Sequence, residues 1–133
     1  MQWPMTRVMT AMTVAVLTST TAAMAGPLQD DLAARRARLM ERLGTDTVAI
    51  VWSAPTRVYS LDVDYEFRQD SHLLYLTGMT QEETILVLMP GNRTRKEILF
   101  VREPNPRREH WNGHILTKEE ATAQSGIATI YYA

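Results

Sequence analysis

The sequence predicts an α/β domain: a mixed β-sheet flanked by helices, preceded by a signal peptide. Three observations carry this reading. Beyond residue 26, apolar runs of strand length alternate with helical segments, in the order helix–strand–(strand)–helix–strand–strand–helix–strand. Two of those runs, Thr84–Met89 and Lys96–Val101, are joined through the turn residues Pro90-Gly91-Asn92. Such a pair is antiparallel, so the sheet cannot be all parallel. Finally, residues 1–25 carry a short apolar run that ends in a small-residue cleavage pattern.

Composition narrows the classes of function. At 133 residues, with 45% hydrophobic and 22% charged residues, the chain has enough apolar surface for one globular domain and is not disordered. A net charge of −1 leaves no electrostatic footprint for nucleic acid or an acidic membrane. The absence of cysteine excludes disulfides, thiolate chemistry and cysteine-based metal sites. The strong bias of Arg over Lys reads as coding preference and carries no functional weight.

Arg7 and the terminal amine form a weak positive region, Val8–Leu17 is the apolar stretch, and Ala23-Met24-Ala25 precedes Gly26. This assigns residues 1–25 to a cleaved export signal and residues 26–133 to the mature domain, periplasmic or secreted. A retained membrane anchor is the competing reading, but six Ser and Thr residues between Thr10 and Thr21 dilute the span, so no stable membrane span is expected.

The mature chain opens with a helix, Leu28–Leu43. Asp30 and Asp31 suit its first turn and Gly44 its end. Leu28, Leu32, Leu39 and Leu43 share one face, and Arg35, Arg36, Arg38 and Arg42 are assigned to the other face and the C-terminal end. Thr47–Trp52 is β-branched and reads as a strand buried on both faces. Arg57–Asp64 is ambiguous between a short strand and a loop. Asp70-Ser71 caps a short helix, Ser71–Thr77, with Leu73, Leu74 and Leu76 inward, closed by Gly78. After the hairpin, Glu103–Gly113 reads as a polar loop. Thr117-Lys-Glu-Glu120 is a capping box opening a helix that ends at Gly126, and Ile127–Tyr132 is a last strand.

Few residues point to self-contained chemistry. His110 and His114 have helical metal-pair spacing, but Asn112 and Gly113 intervene, and they read as surface histidines. Asp62 and Asp64 lack a third oxygen ligand and read as a solvated or Arg-paired loop, with Arg57 and Arg68 as partners. No glycine-rich phosphate loop and no G-x-S-x-G elbow occur. Two stretches are over-specified for a scaffold: Tyr65-Glu-Phe-Arg-Gln-Asp-Ser71 leading into Leu74-Tyr-Leu-Thr-Gly78, and Glu109-His-Trp-Asn-Gly113.

These stretches resemble the N-terminal domain of the aminopeptidase P (Xaa-Pro aminopeptidase) family of creatinase/prolidase-type metallopeptidases. The Y-x-F-R-Q-x-S-x-x-x-Y-L-T-G signature stands here as Tyr65, Phe67, Arg68, Gln69, Ser71, Tyr75, Leu76, Thr77 and Gly78. An acidic turn and strand follow in Gln81–Leu88, and E-x-W-x-G stands as Glu109, Trp111 and Gly113. Thr84-Ile85 and His72-Leu73-Leu74 depart from the pattern, which often has a small Ala and aromatics there. The resemblance implies a two-domain enzyme whose absent C-terminal domain holds a dinuclear site, usually manganese, on two Asp, one His and two Glu. It implies metal-assisted hydrolysis before proline in that domain, and no catalytic residue, metal ligand or cofactor in this chain. Its implied partners are its own catalytic domain, further copies in a homo-oligomer, and proline-containing peptides.

Within that frame Trp111, with Glu109 and Gly113, is the candidate for a substrate-cleft wall or interface, against the alternative of packing under its own loop. Arg68 and Gln69 are expected to serve an internal hydrogen-bond network. The leading expectation is a non-catalytic, exported domain, inactive alone, on a chain that is incomplete. The alternatives are a stand-alone peptide-binding or oligomerisation module, and the same scaffold on a prolidase or creatinase relative.

Overall fold

The computed structural model describes residues 26–133, and the expected export signal over 1–25 lies outside the described residues. The first element, α1 (Pro27–Leu43), starts on an extended Gly26 with Pro27 in the first turn, where a missing N–H costs nothing. Asp30 near its start and Arg42 near its end complement the helix dipole. Four strands form one sheet: β1 (Ala49–Trp52), β4 (Ile85–Leu88), β5 (Glu97–Val101) and β6 (Ile130–Tyr132), in the order β1-β4-β5-β6. The β1/β4 and β4/β5 pairs are antiparallel and β5/β6 is parallel, so the sheet is mixed as expected. Strands β2 (Val58–Ser60) and β3 (Val63–Asp64) form a separate exposed hairpin in the segment that had read ambiguously.

Helices α2 (Ser71–Thr77) and α4 (Lys118–Ser125) pack on one face of the sheet. Leu73 and Leu76 of α2 and Ala121 of α4 meet Leu86, Leu88, Leu99, Val101 and Ile130 in one buried core. Strand alternation sends Ile50, Trp52, Ile85, Val87, Ile98, Phe100 and Tyr131 to the opposite face. That face is apolar too, yet Trp52 is 59% and Ile50 44% exposed.

Several expectations are corrected. Strand β1 is an edge strand with alternating exposure and is not buried on both faces. Its apolar run reflects two apolar sheet faces, of which only one is covered at this edge. Leu74 is 41% exposed, because a seven-residue helix turns only Leu73 and Leu76 to the core. Leu28 is exposed at the start of α1. The stretch 103–113 is not all loop: α3 (Pro106–Asn112) forms within it, its start fixed by the Asn105 side chain accepting from the Arg107 N–H and by Pro106 at the first position.

The largest correction concerns Arg36, which is fully buried. It lies one turn after Leu32, so the same helix face carries both. Its Nη1 donates to the carbonyls of Leu76, at 2.9 Å, and Ser125, at 3.1 Å, and its Nε donates to Glu97 Oε2 at 3.0 Å. Leu76 and Ser125 sit in the last turns of α2 and α4, where carbonyls lack helical partners and the dipole is negative. Glu97 enters from β5 on the face shared with Leu99 and Val101.

Both helix ends converging on Arg36 use one device. Thr77 Oγ1 donates to Leu73 O and Ser125 Oγ donates to Ala121 O. Each hydroxyl then accepts from the second residue beyond it, Met79 or Ile127. The intervening Gly78 and Gly126 have φ 68° and 72°, a backbone region open to glycine at little cost. Arg36→Ala is therefore expected to cost about 3–5 kcal/mol, because it strands a carboxylate and two buried carbonyls. Urea unfolding followed by circular dichroism checks this, and a loss below about 1 kcal/mol, the net worth of one ordinary hydrogen bond, contradicts it.

Candidate functional site

The two motif stretches approach each other at the edge where the sheet meets the α3–α4 connection. Gln69 is the first link. Its Oε1 accepts from Ala54 N at 3.1 Å and Asp70 N at 2.9 Å, and its Nε2 donates to Gln81 O at 2.8 Å. This fixes the loop after β1, the start of α2 and the turn before β4 to one amide. Gln81 is the second link: its Oε1 accepts from Leu116 N at 2.7 Å. Its Nε2 is buried with no partner among the described residues. Asp70, rather than Ser71, caps α2, accepting from the amides of His72 and Leu73. Thr84, at one departure from the family pattern, is buried and donates its hydroxyl to Gln81 O at 2.9 Å.

Beside this network lies an open cleft of about 820 Å³ lined by Phe67, Gln81, Glu82, Arg102, His114 and Ile115, among others. Arg102 pairs with Glu83 through two hydrogen bonds, one at 2.8 Å, and lies 3.8 Å from Glu82. Glu83 has a left-handed conformation, φ 53°, that non-glycine residues seldom adopt. The Arg102 hydrogen bond pulls the Glu83 carboxyl below its ordinary value of 4.5. Glu109 Oε1 accepts from Ile115 N at 2.9 Å, so this motif carboxylate closes the loop after α3. Gly113 ends α3 with φ 83°, and its N–H donates to Glu109 O.

The remaining motif residues spread around this centre. Trp111 is 83% exposed on α3, stacked edge-on against His110 with centroids 5.1 Å apart. It does not pack under its own loop. It lines a separate shallow depression with Pro106, Arg107 and His110. Tyr65 is exposed and meets Tyr59 edge-on at 5.0 Å, and with Phe67 and Arg68 it borders a second hollow beside Pro55. Arg68 is exposed, and no hydrogen bond or ion pair to it occurs among the described residues, whereas Gln69 is bound into the network above. Tyr75 stands on the outer side of α2 with the Arg35 guanidinium 4.4 Å above its ring, far from the cleft in role. Gly78 serves the helix end already described, and a Cβ there would meet Leu32 Cδ1 at 3.2 Å.

Among the described residues no group of three or more His, Asp or Glu side chains stands close enough to hold a metal ion. A dinuclear centre therefore does not fit the residues of this segment. The D-x-D pair is split: Asp64 borders the cleft, while Asp62 sits by the hairpin tip, and no ion pair joins either to Arg57 or Arg68 among the described residues. Sequence reading missed Arg102, Gln81 and the Glu109–Ile115 bond. The only available signal was the run Gln81-Glu82-Glu83 facing a lone Arg across a predicted hairpin.

Two outcomes follow. Gln69→Ala should cost about 1–3 kcal/mol, since it leaves the partly buried N–H groups of Ala54 and Asp70 unpaired, and a neutral substitution contradicts the linking role. Because the Glu83 pKa is lowered on folding, its contribution is present above 4.5 and lost as pH falls through the lower folded value. The Arg102→Gln protein should accordingly lose less stability than wild type on acidification below 4.5, read from urea midpoints.

The comparisons with known proteins bear on the same region. The family model described as "Aminopeptidase P, N-terminal domain" matches residues 32–133. Human Xaa-Pro aminopeptidase 3 is 37% identical over 118 residues, covering 80% of this chain and 23% of that protein. The Xaa-Pro aminopeptidase of Haemophilus influenzae is 31% identical over 103 residues, covering 77% of this chain and 24% of that protein. The solved structure of Pseudomonas aeruginosa aminopeptidase PepP superposes with a TM-score of 0.73 at 33% identity, over 82% of this chain and 25% of that one. The chain thus spans about a quarter of the length of the relatives it matches. Family model, sequence relatives and fold agree: over residues 32–133 this chain belongs to the aminopeptidase P family, as its N-terminal domain.

Proposed function

We propose that this domain is the non-catalytic front part of an exported Xaa-Pro aminopeptidase. In this reading it forms one wall of a substrate cleft and a subunit contact, while hydrolysis before proline takes place on a catalytic domain outside residues 26–133. The observation that carries the reading is Trp111: a large aromatic ring, 83% exposed at the end of a short helix whose N-cap and C-terminal glycine are both well made. An indole face held in solvent by ordered backbone has nothing of its own domain to cover. A flat apolar surface of this kind suits the ring of a proline residue. Manganese enters only through the family resemblance and would reside on the catalytic domain. Export rests on the reading of residues 1–25; no helix of the described residues is long and apolar enough to cross a membrane.

The apolar second face of the sheet supports a partner domain or a second copy. Ile50 and Trp52 leave an exposed hydrophobic edge of a kind that marks interaction surfaces. The same observation favours the second reading, a stand-alone binding or oligomerisation module. One experiment on the chain expressed alone separates them. The front-domain reading expects no tight manganese binding, no cleavage of Xaa-Pro peptides, and restored activity only when the domain is joined to a catalytic domain. Metal-dependent release of an N-terminal residue by this chain alone overturns the non-catalytic assignment. Trp111→Ala in the joined protein should raise KM for proline peptides by about tenfold, the scale of one lost aromatic contact, with the fold unchanged.

A further inference from the structure

Among the described residues, helix α3 contributes no side chain to the buried core cluster. Its far end is tied to the body by the Ile115 N–H on Glu109 and by one imidazole set between two carboxylates. His114 Nε2 lies 2.9 Å from Glu120 Oε2 and 3.1 Å from Oε1, on α4. On the other side of the ring, Nδ1 lies 3.4 Å from Glu109 Oε1, on α3. Each carboxylate is itself held: Glu109 by the Ile115 N–H, and Glu120 by the Thr117 N–H at 2.8 Å. The ring is thus clamped between two fixed acceptors on two different helices. Arg102, Glu82 and Asp64 border the same cleft, but no ion pair links them to the ring.

We propose that His114 is a positioning residue for α3: its imidazolium bridges Glu109 and Glu120, and loss of one ring proton removes that tie and loosens the helix that carries Trp111, leaving the Ile115 N–H on Glu109 as the remaining link. The chemistry is a count of donors. An imidazolium has two N–H groups: one hydrogen-bonds Glu120, and the other lies at ion-pair distance from Glu109. A neutral ring has one N–H and one lone pair, and the lone pair must face a carboxylate. Glu120 is the nearer acceptor and already belongs to a capping box, so it keeps the proton and the Glu109 link is the one lost. Two flanking carboxylates, the Glu120 hydrogen bond foremost, also raise the ring's pKa above its ordinary 6.5, so the bridged state extends to higher pH. The sign follows from that direction. The bridge is fully present below 6.5 and is lost as pH rises through the raised folded value.

The consequence for a substrate wall rests on the reading of Trp111 given above. The device itself does not, and the test reads α3 alone. Side-chain NMR of His114 and amide hydrogen exchange across 106–112 are followed together through a pH series on this chain. Exchange is expressed as protection factors, to remove the intrinsic pH dependence. We expect α3 protection to fall several-fold with the same midpoint as the His114 titration, while α4 stays protected. Glu120→Gln should lower that midpoint and move both curves together. His114→Gln should give low, pH-independent protection in α3, with α1 and the sheet unchanged. Protection in α3 that stays flat through the His114 titration overturns the proposal, as does full protection in His114→Gln. If that variant does not fold, the titration and Glu120→Gln decide. Failure here leaves the cleft-wall reading standing, since that reading is tested by peptide kinetics.

Discussion

Arg36 places one buried positive charge where two helices end and a strand begins. Its guanidinium satisfies carbonyls of α2 and α4 and a carboxylate of β5 from a position on α1. A buried guanidinium without partners would be prohibitively costly, so the three elements must arrive together. That requirement sets the rest of the covered layer. The ends of α2 and α4 are brought side by side, each finished by the same hydroxyl–glycine–apolar sequence, Thr77-Gly78-Met79 and Ser125-Gly126-Ile127. With the ends fixed, Leu73, Leu76 and Ala121 have one place to bury, against the inner face of β4 and β5.

The motif residues then divide by task. Gln69 and Gly78 build the frame, one by linking three backbone segments and the other by turning the chain beneath Leu32. Glu109 and Gly113 shape the connection between α3 and α4. Trp111, Tyr65 and Tyr75 face outward and make no contribution to the core.

Local signals in the sequence were sufficient for most of the elements. The α1 face around Leu32, the Asp70 cap, the Thr117–Glu120 capping box and the Pro90-Gly91-Asn92 turn all depend on neighbours within four residues, and all appear in place. Non-local facts were not legible. Arg36 was assigned outward by its charge, because its three acceptors lie 40, 61 and 89 residues away. Strand β1 reads as doubly buried because its residues are apolar on both faces, and no local signal says that it lies at an edge. Helix α3 had a readable start in Asn105-Pro106, but its polar, seven-residue sequence carries no apolar period. The cleft was invisible for the same reason as Arg36: Phe67, Arg102 and His114 meet only through the fold.

The claim that Arg36 makes the inner layer one unit is tested most directly by native-state hydrogen exchange under increasing sublethal denaturant. The account predicts that α1, α2, α4 and the central strands β4 and β5 share one opening free energy, close to that of global unfolding. Helix α3 and the β2–β3 hairpin, which among the described residues contribute nothing to the core, should open earlier and separately. An α1 that opens well below the global value while α2, α4 and the strands stay protected would contradict it, since a layer that survives without α1 does not depend on Arg36.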